Sequence, residues 1–119
     1  MAEGFTIGQL GEFERNGRWQ LVRRGLAVES FGLNVVELEQ GYSIPEHNEV
    51  ERDQEEVFVV LDGNAVMVIE GEDHPAPAGT FVRVAPPLMR TVRNDQETPV
   101  TLLIVSAPTS SGYTDMGWA

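Results

Sequence analysis

The sequence predicts an all-β fold of the sandwich or barrel type. About eight short segments rich in Val, Ile, Leu and Phe are separated by turn residues at intervals of about ten positions. The 12 Gly and 7 Pro among 119 residues provide many turns. No segment has the period of a long amphipathic helix. The length suits one domain with one hydrophobic core.

The amino-terminal third offers two candidate strands. Residues 1–20 look irregular, because four glycines interrupt any helix longer than one turn. We expect a strand over residues 19–28, with a β-bulge at Arg23-Arg24-Gly25. A second strand is expected over residues 31–39, with one face formed by Phe31, Leu33 and Val35.

The rest of the chain supplies the remaining strands. Residues 56–61 are the strongest candidate, because this segment is rich in Val and Phe. A hairpin turn at Asp62-Gly63-Asn64 is expected to join it to a partner strand over residues 65–69. Further strands are expected over residues 79–84, 91–93 and 100–106, with a turn at 70–72, a surface position for His74, and a tail anchored by Tyr113, Met116 and Trp118.

Charge and composition exclude several classes of function. The formal net charge is −11 and all eight basic residues are Arg, so the surface repels nucleic acid and anionic membranes. The chain has no Cys, which excludes disulfides and thiol chemistry. The longest apolar runs have about five to seven residues, whereas roughly 20 are needed to span a bilayer. No secretory signal is visible, and we expect a cytoplasmic protein.

The first of two motifs lies between the second and third predicted strands. Gly41 is followed by five residues and then His47, and Glu49 lies two positions beyond it. Glu56 opens the strongest strand and is separated from Gly63 by six residues. Because side chains alternate along an extended chain, His47 and Glu49 point the same way.

The second motif lies about thirty residues further on. Gly71 leads to Pro77 and Gly79, and Arg90 is separated from Asn94 by three residues. Together the two motifs resemble those of the cupin family, small β-barrels that usually hold a divalent metal. The resemblance covers residues 31–107 and implies a cupin-type double-stranded β-helix, which is a jelly-roll barrel.

The resemblance also implies where metal ligands are expected. His47 and Glu56 keep two of the four usual ligand positions, Glu49 replaces a second histidine, and Arg90 replaces a third. The spacer between Glu49 and Glu56 is two residues longer than the usual maximum. An alternative alignment places Glu49 and Glu51 at the two histidine positions, but we prefer the first because Gly41 also falls in place.

The leading hypothesis is a pocket without a metal ion. We expect the pocket to be lined by His47, Glu49, Glu56, Phe58 and Arg90. A guanidinium has no lone pair and cannot ligate a metal. Its planar fork suits bidentate contact with Glu49 or Glu56, so that Arg90 replaces the metal electrostatically.

Four other interpretations stay open. A divalent ion (Mn, Fe, Ni or Zn) held by His47, Glu49 and Glu56, with Arg90 turned aside, would make a metal-dependent enzyme of the dioxygenase or isomerase type. Arg90 can instead form a purely structural ion pair, or receive an anionic ligand. In the last interpretation the barrel is filled by its own side chains, and the protein is structural.

The predicted function is therefore binding of a small polar molecule, most simply without a cofactor. Whether the protein is an enzyme is left open. The predicted organisation is an amino-terminal segment over residues 1–30, a barrel core over residues 31–107 and a tail over residues 108–119. Cupins of this size usually dimerise, so the resemblance implies a homodimer, in which the amino-terminal segment can be exchanged between subunits.

Overall fold

The computed structural model describes residues 3–119. Those residues contain nine strands and one short helix. In chain order the elements are β1 (Arg15–Asn16), β2 (Trp19–Gln20), α1 (Val22–Leu26), β3 (Gly32–Leu38), β4 (Gln54–Asp62), β5 (Asn64–Ile69), β6 (Glu72–Pro77), β7 (Phe81–Val84), β8 (Arg90–Arg93) and β9 (Val100–Pro108).

The strands form two antiparallel sheets, which confirms the all-β prediction. The larger sheet has the order β1-β2-β3-β9-β4-β7, and the smaller has the order β6-β5-β8. Together they make the jelly-roll barrel. Both sheets contribute to a single core of buried apolar side chains, which are Val36, Leu38, Ile44, Phe58, Val60, Ala65, Met67, Ala76, Val84, Val92, Val100, Leu102 and Ile104.

The centre of the larger sheet shows how the strand period builds this core. Val36 of β3 and Val60 of β4 both pair with Leu102 of β9, and Phe58 pairs with Ile104. These cross-strand neighbours lie on one face because residues two apart point the same way. Each buried side chain of this size contributes about 1.5–3 kcal/mol of transfer free energy.

The predicted strand over residues 19–28 is wrong in its second half. The chain leaves the sheet after Trp19–Gln20 and forms the helix α1, which packs against β3. A Cβ atom on Gly25 would lie 2.6 Å from the ring of Phe13, so the absence of a side chain here lets Phe13 of the amino-terminal segment pack on the helix. The expected bulge at residues 23–25 is therefore a helical turn.

The predicted hairpin between residues 56–61 and 65–69 is also wrong. Both strands exist, but β4 pairs with β7 and β9, whereas β5 pairs with β6 and β8. The turn at Gly63 carries the chain from one sheet to the other. Gly63 has φ of +82°, and a Cβ atom there would collide with the carbonyl oxygen of Pro99.

Three smaller differences complete the comparison. The core-facing residues of β3 are Val36 and Leu38, and Phe31 lies exposed before the strand. Residues 72–77 form the edge strand β6, in which His74 is exposed as predicted. The expected anchors of the tail, Tyr113, Met116 and Trp118, are all exposed. Within residues 3–119, no helix combines the length and apolar character needed to cross a membrane.

Candidate functional site

Two backbone hydrogen bonds bring His47 and Arg90 together. The amide of Arg90 donates to the carbonyl of His47 at 2.8 Å, and the amide of His47 donates to the carbonyl of Arg90 at 3.1 Å. Residues paired in this way across an antiparallel bridge project their side chains on the same side. The loop that carries His47 is also attached to β8, because the amide of Ile44 donates to the carbonyl of Val92 at 3.0 Å.

Glu56 reaches the same region from β4. It lies on the face of Phe58 and Val60, whose side chains are both in the core. Its neighbours across the sheet are Val84 and Ser106. The Glu56 carboxylate therefore projects from the apolar face that the strand period predicts, and it lies near His47.

The side chains of His47, Glu49 and Glu56 form a compact cluster. One ligating atom from each lies within 4.8 Å of the others. Nε2 of His47 is 3.8 Å from Oε2 of Glu49 and 3.7 Å from Oε1 of Glu56. Nδ1 donates to the carbonyl of Pro45 at 2.8 Å, so a neutral His47 presents the lone pair of Nε2 to both carboxylates.

Arg90 lies behind this cluster and is fully buried, with 0% of its surface exposed. Its Nη2 donates to the carbonyl of Ala85 at 2.7 Å, and Nη1 lies 3.5 Å from Oε1 of Glu56. Within residues 3–119, Nε and Nη1 of Arg90 and Oε1 of Glu56 have no hydrogen-bond partner. The expected bidentate contact is therefore absent, although Arg90 remains the buried counter-charge of Glu56.

Glu49 pairs instead with Arg52, which was not predicted to lie in the site and which contacts both carboxylate oxygens through one nitrogen. Nη2 of Arg52 reaches both oxygens of Glu49, at 2.8 Å from Oε2 and closer to Oε1. Glu49 is 4% exposed, whereas the Arg52 side chain is 74% exposed. The only sequence signal is the spacing of three residues across a turn. Arg52 is thus part of the site although its side chain is largely exposed.

Burial raises the pKa of the Glu56 carboxyl above its ordinary value. The Arg90 guanidinium opposes this rise, and the neighbouring Glu49 carboxylate adds to it. His47 and Arg52 lower the pKa by smaller amounts. The pKa of Glu56 is raised on balance because the carboxylate is removed from water and Oε1 accepts no hydrogen bond from the described residues.

Two cavities meet at this cluster. The first, of about 350 Å³, has apolar walls from Trp19, Ile44, Pro45, Phe58 and Ile104, and its polar residues are His47, Arg52 and Glu56. The second, of about 380 Å³, is lined by His47, Asn48, Glu49, Glu51, Arg52 and Met89. His47 and Arg52 line both, so the two cavities are neighbours at these residues.

A cupin family model matches residues 34–106, more than half of the chain. The chain belongs to the cupin family. The structure of this cupin agrees with a cupin protein from Bacteroides fragilis, with a TM-score of 0.78, 22% identity, and coverage of 95% of this chain and 93% of that one. No curated protein matches its sequence.

Two further solved structures share the fold. The plu4264 protein from Photorhabdus luminescens gives a TM-score of 0.67 at 17% identity, covering 89% of this chain and 88% of that one. A Cupin 2 conserved barrel domain protein from Salinispora arenicola gives 0.62 at 22% identity, covering 70% and 67%. At these identities the likeness concerns the fold, so the function of this cupin has to be argued from its own site.

The five residues expected in the pocket of this cupin all lie in one region. His47, Glu56 and Phe58 line the apolar cavity, Glu49 lines the neighbouring cavity, and Arg90 sits behind Glu56. Glu51 is exposed and is not part of the His47 cluster, which favours the alignment that places His47 and Glu49 at the two histidine positions. Among the residues described here, the sequence analysis missed Arg52 and the apolar wall provided by Trp19, Ile44 and Ile104.

Proposed function

We propose that this cupin binds a small molecule in the apolar cavity beside His47 and Glu56, and that it does so without a metal ion. The main support is the position of Arg90. A fully buried guanidinium stands 3.5 Å from Glu56. That cation is fixed by the strand β8 and by its bond to the Ala85 carbonyl, so it cannot leave readily.

The charges at the site balance without a metal. Glu56 faces Arg90, and Glu49 is paired with Arg52. A divalent ion beside Arg90 would be repelled by about 4 kcal/mol per unit charge at 4 Å, for an effective dielectric constant near 20. Binding of a metal ion by Glu49 would also require the ion pair between Arg52 and Glu49 to break. The guanidinium groups of Arg52 and Arg90 therefore supply the positive charge that two neighbouring carboxylates would otherwise obtain from a metal ion.

The cavity has the size and lining of a small-molecule site. Its volume of about 350 Å³ is within the range of ordinary ligand pockets. Apolar walls surround the body of a ligand, while His47 and Glu56 offer polar contacts at one end.

The first experiment measures metal and ligand in the same sample. Protein purified without chelator would be analysed for Mn, Fe, Ni and Zn, and by native mass spectrometry for a retained organic compound. Binding of fragments would then be followed by amide NMR. We expect well under one metal ion per chain and fragment-induced shifts at Trp19 and Phe58. Stoichiometric metal that disappears in a His47→Ala variant would overturn the proposal.

A second candidate function is a divalent metal centre. It is favoured by the lone pair of His47 Nε2 and by the unpartnered Oε1 of Glu56. The donor set of one imidazole and two carboxylates fits Mn, Fe or Zn, with His47, Glu49 and Glu56 holding the ion. A metal here would act as a Lewis acid toward a bound substrate. Activity that is lost on chelation and restored by one metal would establish this function.

We also propose that the protein works as a cytoplasmic homodimer. Apolar side chains at both ends of the chain are exposed, among them Phe5, Ile7 and Trp118. In the single chain, Phe13 packs against α1 of its own subunit. Sedimentation velocity would show a species of twice the mass of 13.1 kDa, and a monomer at micromolar concentration would contradict the proposal.

A further inference from the structure

Most of the charged residues that line the two cavities are acidic, whereas the buried cation Arg90 lies behind them. Three carboxylates line the cavities, from Glu49, Glu51 and Glu56, and Arg52 is the only guanidinium in either lining. Arg90 lines neither cavity. A ligand in these cavities therefore reaches Glu56 without reaching Arg90, and the residues that it can touch include more carboxylates than guanidinium groups.

Arg52 is the movable member of this set. Its side chain is 74% exposed, and it projects from a turn in which Asp53 has φ of +51°. Glu49 and Glu56 are nearly buried and lie on the inner side. Since Arg52 lines both cavities and pairs with Glu49, turning its side chain away would free the Glu49 carboxylate for a ligand.

Three acceptor atoms then face a common space. They are Nε2 of His47, Oε2 of Glu49 and Oε1 of Glu56, of which the last is buried and has no hydrogen-bond partner. An ammonium group has three donors arranged tetrahedrally. At donor–acceptor distances of about 2.8 Å its three acceptors would lie about 4.6 Å apart. Nε2 of His47 is now 3.8 Å from Oε2 of Glu49 and 3.7 Å from Oε1 of Glu56, so the side chains would have to separate by roughly 0.9 Å to receive the ammonium group.

From these observations we infer that the ligand is a primary amine with a small apolar body, whose ammonium group displaces Arg52 from Glu49. This inference rests on the proposed function. One cation replaces another, so the charge balance with Arg90 and Glu56 is kept. A single positive charge is also repelled by Arg90 half as strongly as a divalent ion. The apolar body lies against Trp19 and Phe58.

The test compares three probes of nearly equal shape. Phenethylamine, 2-phenylethanol and 3-phenylpropanoate would be titrated into chelator-treated protein by isothermal calorimetry at low salt. We expect phenethylamine to bind at least tenfold more tightly than the other two, because its charge-assisted hydrogen bonds have no counterpart in them. Titration in the presence of EDTA keeps a contaminating metal from accepting the amine.

Variants of the two partners of the displaced ion pair sharpen the test. Arg52→Gln removes the competing guanidinium from an exposed turn and should strengthen amine binding about two- to fivefold, the value of an exposed ion pair. Glu49→Gln should weaken it about tenfold or more. Arg83→Gln is the matched control, since Arg83 is exposed and paired with Glu55 at 2.6 Å; binding should be unchanged.

The outcomes separate this inference from the function on which it rests. Equal or tighter binding of 2-phenylethanol or 3-phenylpropanoate would overturn the amine assignment while leaving the small-molecule site intact. Amine binding that Arg52→Gln weakens would also overturn it. If none of the three probes binds at millimolar concentration and no fragment shifts the Trp19 amide, both proposals fail.

Discussion

Replacing Arg90 by methionine tests the electrostatic core of the site. The substitution keeps an unbranched side chain of moderate length but leaves the nearly buried Glu56 without its fixed cation. The attraction between unit charges 3.5 Å apart is about 5 kcal/mol at an effective dielectric constant of 20. Removal of one partner from a buried pair typically costs about 3–5 kcal/mol. We therefore expect a loss of about 3–5 kcal/mol in the free energy of unfolding.

Urea denaturation followed by circular dichroism at pH 7.5 measures this loss. For a domain of this length, the same loss lowers Tm by roughly 12–20 °C. The double variant Arg90→Met/Glu56→Gln should recover most of the stability, because no unpaired buried charge remains. The loss in the single variant should also shrink toward pH 5, since Glu56 then takes up a proton instead of staying charged.

An exposed pair provides the control. Arg83→Met removes the partner of Glu55 on neighbouring strands, where both side chains are at least 45% exposed. The expected loss there is about 1 kcal/mol or less. The electrostatic reasoning is refuted if Arg90→Met costs no more than Arg83→Met, or if Glu56→Gln gives no recovery in the Arg90→Met background.

Three further predictions concern the same structure. Arg90→His should create a site that binds Mn²⁺ or Ni²⁺ at one ion per chain by calorimetry, because a neutral imidazole replaces a repelling cation beside His47; no gain over the wild type would contradict this. Because burial raises the pKa of Glu56, the folded protein binds more protons than the unfolded chain, and its stability falls as pH rises from about 4.5 toward the folded pKa. Glu56→Gln should lack this decline in urea titrations between pH 4 and 8, and parallel curves for the two proteins would refute the assignment. Gly63→Ala should lower stability by about 1–3 kcal/mol in urea, because the new Cβ meets Pro99 at a positive φ; an unchanged midpoint would show that this crossover is not constrained.

The sequence predicted those parts of the fold and site that depend on spacing and on the strand period. His47 and Glu56 follow from motif spacing, and Phe58 follows from Glu56 by alternation. Position 90 was identified by its place before Asn94. These relations hold in any barrel of this type, because they depend on backbone geometry rather than on particular neighbours.

What the sequence did not predict depends on contacts between distant segments. Asp62-Gly63-Asn64 has the composition of a hairpin turn, yet the partner of β4 is decided by the rest of the larger sheet. Pro75 and Pro77 concealed β6, since proline is accommodated there only because the strand lies at an edge. Arg52 looks like a surface charge in sequence, because its pairing with Glu49 depends on the path of a turn.

The position of Trp19 has a practical consequence. The chain has two tryptophans, and the second, Trp118, is 82% exposed in the tail, whereas Trp19 is half-buried in the wall of the apolar cavity. In a Trp118→Phe variant, Trp19 would be the one remaining tryptophan, so all tryptophan fluorescence would report on the wall of the cavity. Its emission wavelength and quenching would then follow occupancy directly, without an added dye or a labelled ligand.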